Sequence, residues 1–310
     1  MDFSAIGQRI RELRKSLKLS QEELAEGICT QAQISKIEKG DVYPYANTLY
    51  LISQKLGVDV NYFFEIGSTP RLDYVNEVAR QLKLARKNLD YDEMLRIIKT
   101  EEHNPLFTQN GRNLQLILWH KAICEDALNQ NTEKAIELLQ KTITITHKSD
   151  KVWTEREIEF LLSMGTIYFH NDQIEKALEI YTAAKDHLTQ LAFISDHTLL
   201  PRLNYNIARV YTRQKDYETS IAICKQGIKF CIDNDNLFPI GELHYQISYN
   251  YEKLGHIPKA IRYLDKAIMI FELLELNTYL VFLKEKKSNM LAKGKITEDS
   301  PHEAELPPVK

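Results

Sequence analysis

Apolar positions recur every three or four residues along this chain, the spacing of helices with one buried face. Ile6, Ile10, Leu13 and Leu17 share one side of a predicted helix over about 3–17. Ser20 followed by Glu23 has the spacing of a capping box, and Leu24 and Ile28 continue the helix that it opens. Thr30 followed by Gln33 repeats the device, with Ile34 and Ile37 as the inward face of the next helix. The joint between these two short helices reads as Ile28-Cys29-Thr30, three residues without a glycine. After Pro44 come Leu49, Ile52 and Leu56, and then a short helix over 60–64, which makes five helices in all.

From about Leu72 the pattern is helix after helix, and it repeats. The segments DYDEMLRII, NTEKAIELL, QIEKALEIY, DYETSIAIC and HIPKAIRYL align, placing Met94, Ala135, Ala177, Ser220 and Ala260 at one equivalent position. The spacings between them are 41, 42, 43 and 40 residues. Three of the partner helices upstream carry a small residue followed three positions later by tyrosine: Gly165/Tyr168, Ala208/Tyr211 and Ser248/Tyr251. This resembles the tetratricopeptide pattern, at a period longer than its usual length of about 34 residues. The expected fold is all-α, with an N-terminal helix-turn-helix domain followed by a right-handed α-solenoid of about five tetratricopeptide-like helix pairs. The expected boundaries are 1–65 for a DNA-binding domain, 66–71 for a linker containing Gly67, Ser68 and Pro70, and 72–293 for a regulatory and dimerisation domain. The polar stretch 294–310, with three prolines, is expected to be a disordered tail.

Composition narrows the function. The 310 residues are 44% apolar and 27% charged, which suits a helix-rich chain with a real core. A net charge of −3 gives no global basic field, so any DNA contact must come from a local patch. No apolar run approaches the roughly 18 residues of a membrane span, and the polar start at Met1 does not read as a signal segment, so a cytoplasmic location is expected. The four cysteines are scattered, with no CxxC pair, and are expected to be buried free thiols. Phosphate-loop, metal-ligand and nucleophile–base patterns are missing from the sequence, so neither an enzyme nor a cofactor is expected.

The short helices supply the candidate DNA contacts. In a helix-turn-helix the N-terminal part of the second helix enters the major groove. Thr30, Gln31, Ala32, Gln33 and Lys36 lie there, away from the inward Ile34 and Ile37. Glutamine can bind an adenine edge bidentately, and an alanine methyl can touch thymine. Gln21 opens the first helix of the pair and is placed to donate to a phosphate. Arg9, Arg11, Arg14, Lys15 and Lys18 make the first helix of the chain locally basic.

In tetratricopeptide repeats the first helix of each pair lines the inner groove. That mapping gives Thr166 in the third copy, Arg202, Tyr205, Asn206 and Arg209 in the fourth, and Gln246 and Tyr249 in the fifth. Amide and arginine side chains can hold the backbone of an extended peptide, and tyrosines give contact area at low entropic cost. In the first copy Arg80, Lys83, Arg86 and Lys87 form one basic stripe, suited to a free C-terminal carboxylate. Any of these residues can instead be plain solvated surface, as charged helical stripes usually are.

The runs LSQEELAE and ISKIEKG, then a proline before TLYLISQKLGV, resemble the Cro/repressor type of helix-turn-helix over about 6–65. The joint departs from it, one residue short and lacking the usual glycine. The whole chain, over about 5–290, resembles the RRNPP family of peptide-responsive regulators, in its PlcR-like branch. The likeness runs through GICTQAQISKIEKGDVYP, Asn204-Tyr205-Asn206 and LHYQISY. The resemblance implies a homodimer that binds a palindromic promoter site on double-stranded DNA and a short signalling peptide on the concave side of its repeats. It places Lys87, Asn206 and Gln246 where the family holds its peptide, and suggests that Arg14 pairs with Glu38 inside the DNA-binding domain. Leu89 stands at a basic position of the branch, and Leu162 and Thr166 where asparagines are expected, so a different cognate peptide is implied. Two rival readings remain open: a redox-responsive transcription regulator acting through cysteine thiols, and a protein-docking scaffold for which peptide is a competitor.

Overall fold

The computed structural model describes residues 2–149 and 151–293, all of whose regular elements are helices. The tail 294–310 lies outside the described residues, as does any test of its expected disorder. The first five helices are α1 (Phe3–Ser16), α2 (Gln21–Ala25), α3 (Gln31–Lys39), α4 (Ala46–Lys55) and α5 (Val60–Ser68). Ile6, Ile10, Leu24, Ile34, Ile37, Leu49, Ile52, Leu56 and Phe63 form their core, with Leu13 and Ile28 packed at its edge. Leu17 is left exposed beyond the end of α1.

The joint differs from the sequence reading. Helix α2 stops at Ala25, so the joint spans 26–30 and does contain a glycine, Gly27, at φ 76°. The backbone amides of Ile28 and Cys29 both donate to Ala25 O at 2.9 Å, closing the turn. Ile28 still reaches the core, so the four-residue spacing from Leu24 imitates a continuing helix. Only a residue tolerant of positive φ lets the chain turn there without strain. Ser20 makes the full capping box with Glu23, whereas Thr30 makes a one-sided cap, accepting from Gln33 N at 3.2 Å.

Five successive helix pairs follow: α6 (Leu72–Lys87) and α7 (Tyr91–Glu101), α9 (Gly111–Asn129) and α10 (Thr132–Thr144), α11 (Glu155–His170) and α12 (Ile174–Thr189), α13 (Leu199–Arg213) and α14 (Tyr217–Asp233), α15 (Ile240–Lys253) and α16 (Ile257–Leu273). A short helix α8 (Pro105–Thr108) is inserted between the first two pairs, and α17 (Asn277–Lys293) follows the last; neither shows in the repeat alignment. Gly67 and Ser68 belong to α5, so the connection to α6 is only 69–71. The chain forms two compact units that divide between Ile117 and Leu118, inside α9, rather than at that connection.

The aligned positions explain the repeat. Met94, Ala135, Ala177, Ser220 and Ala260 are all 0% exposed. Their partners Gly165, Ala208 and Ser248 are buried too, and hydroxyls replace methyls where the helices touch. Ser220 Oγ donates to Ala208 O and Ser248 Oγ to Ala260 O, each at 2.7 Å. At Gly165 the approach is close: an added Cβ would lie 2.5 Å from the Tyr181 ring. Gly165→Ala therefore has to displace a wholly buried tyrosine and its 3.1 Å bond to Thr166 Oγ1. The expected loss is about 1–3 kcal/mol of stability, read by denaturant unfolding; an unchanged midpoint would refute the close-packing role. Among the described residues no helix is long and apolar enough to cross a membrane.

Candidate functional site

At the N-terminal end, Thr30, Gln31, Ala32 and Lys36 are exposed and Gln33 is half-buried, while Ile34 and Ile37 seal the other side of α3. This places the expected DNA-facing residues together on one surface. Beneath them lies a buried ion pair. Arg14 Nε and Nη2 donate to the two carboxylate oxygens of Glu38 at 2.5 and 2.9 Å, and Arg14 Nη1 donates to Leu19 O at 2.7 Å. Burial by itself would raise the Glu38 pKa; hydrogen bonds from Arg14 and Gln21 overcome that and hold it below the ordinary carboxylate range.

The pair extends outward to the surface. Gln21 Nε2 donates to Glu38 Oε2 at 2.9 Å, and Gln21 Oε1 accepts from Gln31 Nε2 at 2.7 Å. Each glutamine amide nitrogen keeps a second hydrogen. Gln21 can still donate to a phosphate, and Gln31 still offers one donor and one acceptor, the set that adenine takes. The basic character expected of α1 is reduced, because Arg14 is buried and Arg9 donates to Glu12 at 3.0 Å and to Tyr62 Oη at 2.6 Å.

The repeat end is more selective than the sequence mapping. Helices α11, α13 and α15 are buried on nearly every side, and α13 carries three of its groove candidates as buried polar groups: Arg202, Asn206 and Arg209. Arg202 Nη1 donates to Glu159 Oε1 at 2.9 Å, while its Nε has no partner. Asn206 is 1% exposed, and neither its Nδ2 nor its Oδ1 has a hydrogen-bond partner. A fully buried side-chain amide with both ends unsatisfied is rare and costs stability. The Arg209 guanidinium lies over the Phe169 ring at 4.3 Å from its centroid, a cation–π contact that orients it.

On α15, Gln246 is buried and donates to Thr212 Oγ1 at 2.7 Å. Two ammonium groups lie near the Tyr249 ring, with Lys253 Nζ 5.3 Å and Lys286 Nζ 5.0 Å from its centroid. Phe169 and Lys286 had no signal in the groove mapping, the first because it reads as core and the second because α17 lies outside the repeats.

Three further expected peptide contacts are buried and packed or bonded within the fold. Tyr205 is 0% exposed in an apolar cluster with Ala208, Ile221, Cys224 and Leu243, because its ring fills the space beside the small residue at 208. Thr166 is buried, donating to Leu162 O at 2.9 Å and accepting from Tyr181 Oη. Arg86 is buried with Leu82 and Ala85, whereas Lys83 and Lys87 are exposed and Arg80 is tied to Glu77 at 2.7 Å. The basic stripe is therefore split between two faces of α6. Among the thiols, burial raises Cys29 and Cys224 and pushes Cys231 up to about 12. A redox switch needs the opposite shift.

The comparisons with known proteins match the two ends of the chain to different family models. The model of the RNPP family C-terminal domain matches residues 79–292, and a helix-turn-helix model matches residues 10–63. An uncharacterized HTH-type transcriptional regulator of Sinorhizobium medicae is 48% identical over 61 residues, which are 19% of this chain and 44% of that protein. The chain spans about half the length of the curated relatives it matches. PlcR of Bacillus thuringiensis, solved in complex with the peptide PapR7 and DNA, superposes with a TM-score of 0.83 at 22% identity, over 90% of this chain and 99% of that one. ComR from S. thermophilus, solved with DNA and its signalling peptide, gives a TM-score of 0.62 at 16% identity, over 92% of this chain and 99% of that one. At these identities the likeness is one of fold.

Proposed function

Because this chain belongs to the RNPP family, we propose that it is a cytoplasmic, homodimeric transcription regulator of quorum-sensing type, controlled by a short signalling peptide. Its DNA contacts are Gln21, Gln31, Ala32, Gln33 and Lys36, on a surface fixed by the Arg14–Glu38 pair. Its peptide contacts are Arg202, Asn206, Arg209, Gln246 and Tyr249. The observation that carries this reading is Asn206, an orphaned amide whose donor and acceptor match those of a peptide unit.

One helix-turn-helix covers a half-site, so two copies about 34 Å apart, or a multiple of that, are needed for tight binding. Peptide controls the protein if it binds the DNA-competent form more tightly, by about 1–3 kcal/mol, which is about 5–150-fold in operator affinity. Gel-shift titration on a palindromic promoter fragment, with and without saturating synthetic peptides from small open reading frames beside the gene, measures this. Equal operator affinity under both conditions, with peptide shown to be bound, would sink the regulatory reading. Pull-down of a protein partner that peptide displaces, without any operator binding, would point to the docking scaffold instead.

A further inference from the structure

Between α13, α14 and α15 lies a network of four buried polar side chains anchored on one backbone carbonyl. It starts at the Ala208 carbonyl, which can only accept. Ser220 Oγ donates to it at 2.7 Å, so Ser220 accepts from Asn250 Nδ2, also at 2.7 Å. That fixes Asn250 Oδ1 as the acceptor facing Thr212, whose Oγ1 lies 2.7 Å away. Thr212 Oγ1 is also 3.0 Å from both Ala208 O and Ser220 Oγ, so Asn250 Oδ1 is the nearest of its three choices. With its hydrogen on Asn250, Thr212 Oγ1 must accept from the next group, and Gln246 Nε2 stands 2.7 Å from it. Ser220 and Asn250 are 0% exposed and Thr212 is 6% exposed, so water does not compete for these bonds. An amide can ordinarily turn over and exchange its oxygen and nitrogen. Here a fixed carbonyl four groups away decides which end of Gln246 points where.

We infer that Thr212, Asn250 and Ser220 are positioning residues that lock the Gln246 amide, so that its oxygen is fixed on the side away from Thr212 as an acceptor for a bound peptide. Among the described residues Gln246 Oε1 has no hydrogen-bond partner of its own. A peptide must then place a backbone N–H at that point, and one with proline or an N-methyl group there is rejected. Asn206, unsatisfied at both ends, accepts either polarity; the locked Gln246 does not. The specificity role rests on the peptide-binding reading above, whereas the lock itself does not.

The test compares full-length wild-type protein with Thr212→Val, which removes the hydroxyl, and Thr212→Ser, which keeps it. Side-chain amide NMR without any peptide reads the lock: one Gln246 Nε2 proton is expected to exchange with water at least about tenfold more slowly in the wild type and in Thr212→Ser than in Thr212→Val. Equal exchange in all three overturns the lock. The specificity role is read with a library of synthetic heptapeptides with free C-termini, whose binders are remade with one backbone N-methyl group at each position in turn. One N-methyl position is expected to weaken binding about tenfold or more in the wild type, the loss of one charge-neutral hydrogen bond with its partner left unpaired, and less than about threefold in Thr212→Val. An identical N-methyl profile in both overturns the specificity role while peptide binding stands. If no heptapeptide binds but the Gln246 proton is protected, the peptide reading fails, and the specificity role with it, while the lock remains. Should Thr212→Val fail to fold, the profile of Thr212→Ser decides: it must match the wild type, and a profile without the N-methyl-sensitive position overturns the assignment.

Discussion

Arg14→Ala is expected to cost about 3–5 kcal/mol of stability and to abolish sequence-specific DNA binding in the same step. The Arg14 and Glu38 side chains are 10% and 3% exposed, so removing the arginine leaves a carboxylate charge in the core with only Gln21 to hold it. Three guanidinium nitrogens are lost at once, including the bond to Leu19 O that fixes the chain on its way into α2. Against a total stability of about 5–15 kcal/mol for a typical domain, such a loss is large. DNA binding falls with it, because Glu38 orients Gln21 and Gln21 orients Gln31. Denaturant unfolding and gel shift on the same preparations check both parts. Full operator affinity in a folded Arg14→Ala protein would show that Gln31 does not depend on this support.

The same pair sets a pH dependence. The folded pKa of Glu38 is depressed, so its contribution is complete above the ordinary carboxylate range and is lost as pH falls through that range and below it. Glu38→Gln removes the titrating group. Its stability should therefore fall less steeply on acidification than that of the wild type, although it starts lower at neutral pH. Parallel acid limbs for the two proteins would rule out linkage through this carboxylate.

What was legible in the sequence is what acts over short separations. Ser20 with Glu23 marked a helix start, and the five equivalent positions from Met94 to Ala260 marked the helix contacts, because caps and close approaches demand particular residue types. The Arg14–Glu38 pair, 24 residues apart, was suggested by family likeness rather than by any spacing rule. Gly27 escaped because Leu24 and Ile28 keep a helical spacing across a turn that is not helical. The burial of Arg86 carries no charge signal, since it shares the core-facing side of α6 with Leu82 and Ala85. A standard repeat register turns Tyr205 toward the groove, whereas its ring packs into the cluster around Ala208. The Thr212–Asn250 bond joins residues 38 apart on neighbouring repeats, and no periodicity within one helix encodes it.

Asn206→Leu is expected to separate stability from function, changing them in opposite directions. Leucine keeps the branch point and heavy-atom count of asparagine, is somewhat bulkier, and has no polar atoms, so it removes two buried unsatisfied groups from α13. Relief of an unpaired buried amide is worth about 1–3 kcal/mol, and the melting temperature should rise. An ordinary core asparagine, held by its own hydrogen bonds, would give the reverse sign. The wild type, in turn, should be stabilised by cognate peptide, by about 2.7 kcal/mol at a free concentration one hundred times its Kd. In Asn206→Leu that increment should largely vanish, because the peptide unit loses a donor and an acceptor that had no other partner. Thermal unfolding of both proteins, with and without peptide, gives the four numbers required. A destabilised variant that keeps the full peptide increment would mean that Asn206 serves the fold and that the peptide lies elsewhere. A stabilised variant without the increment would mark Asn206 as a residue retained for binding at the expense of the fold.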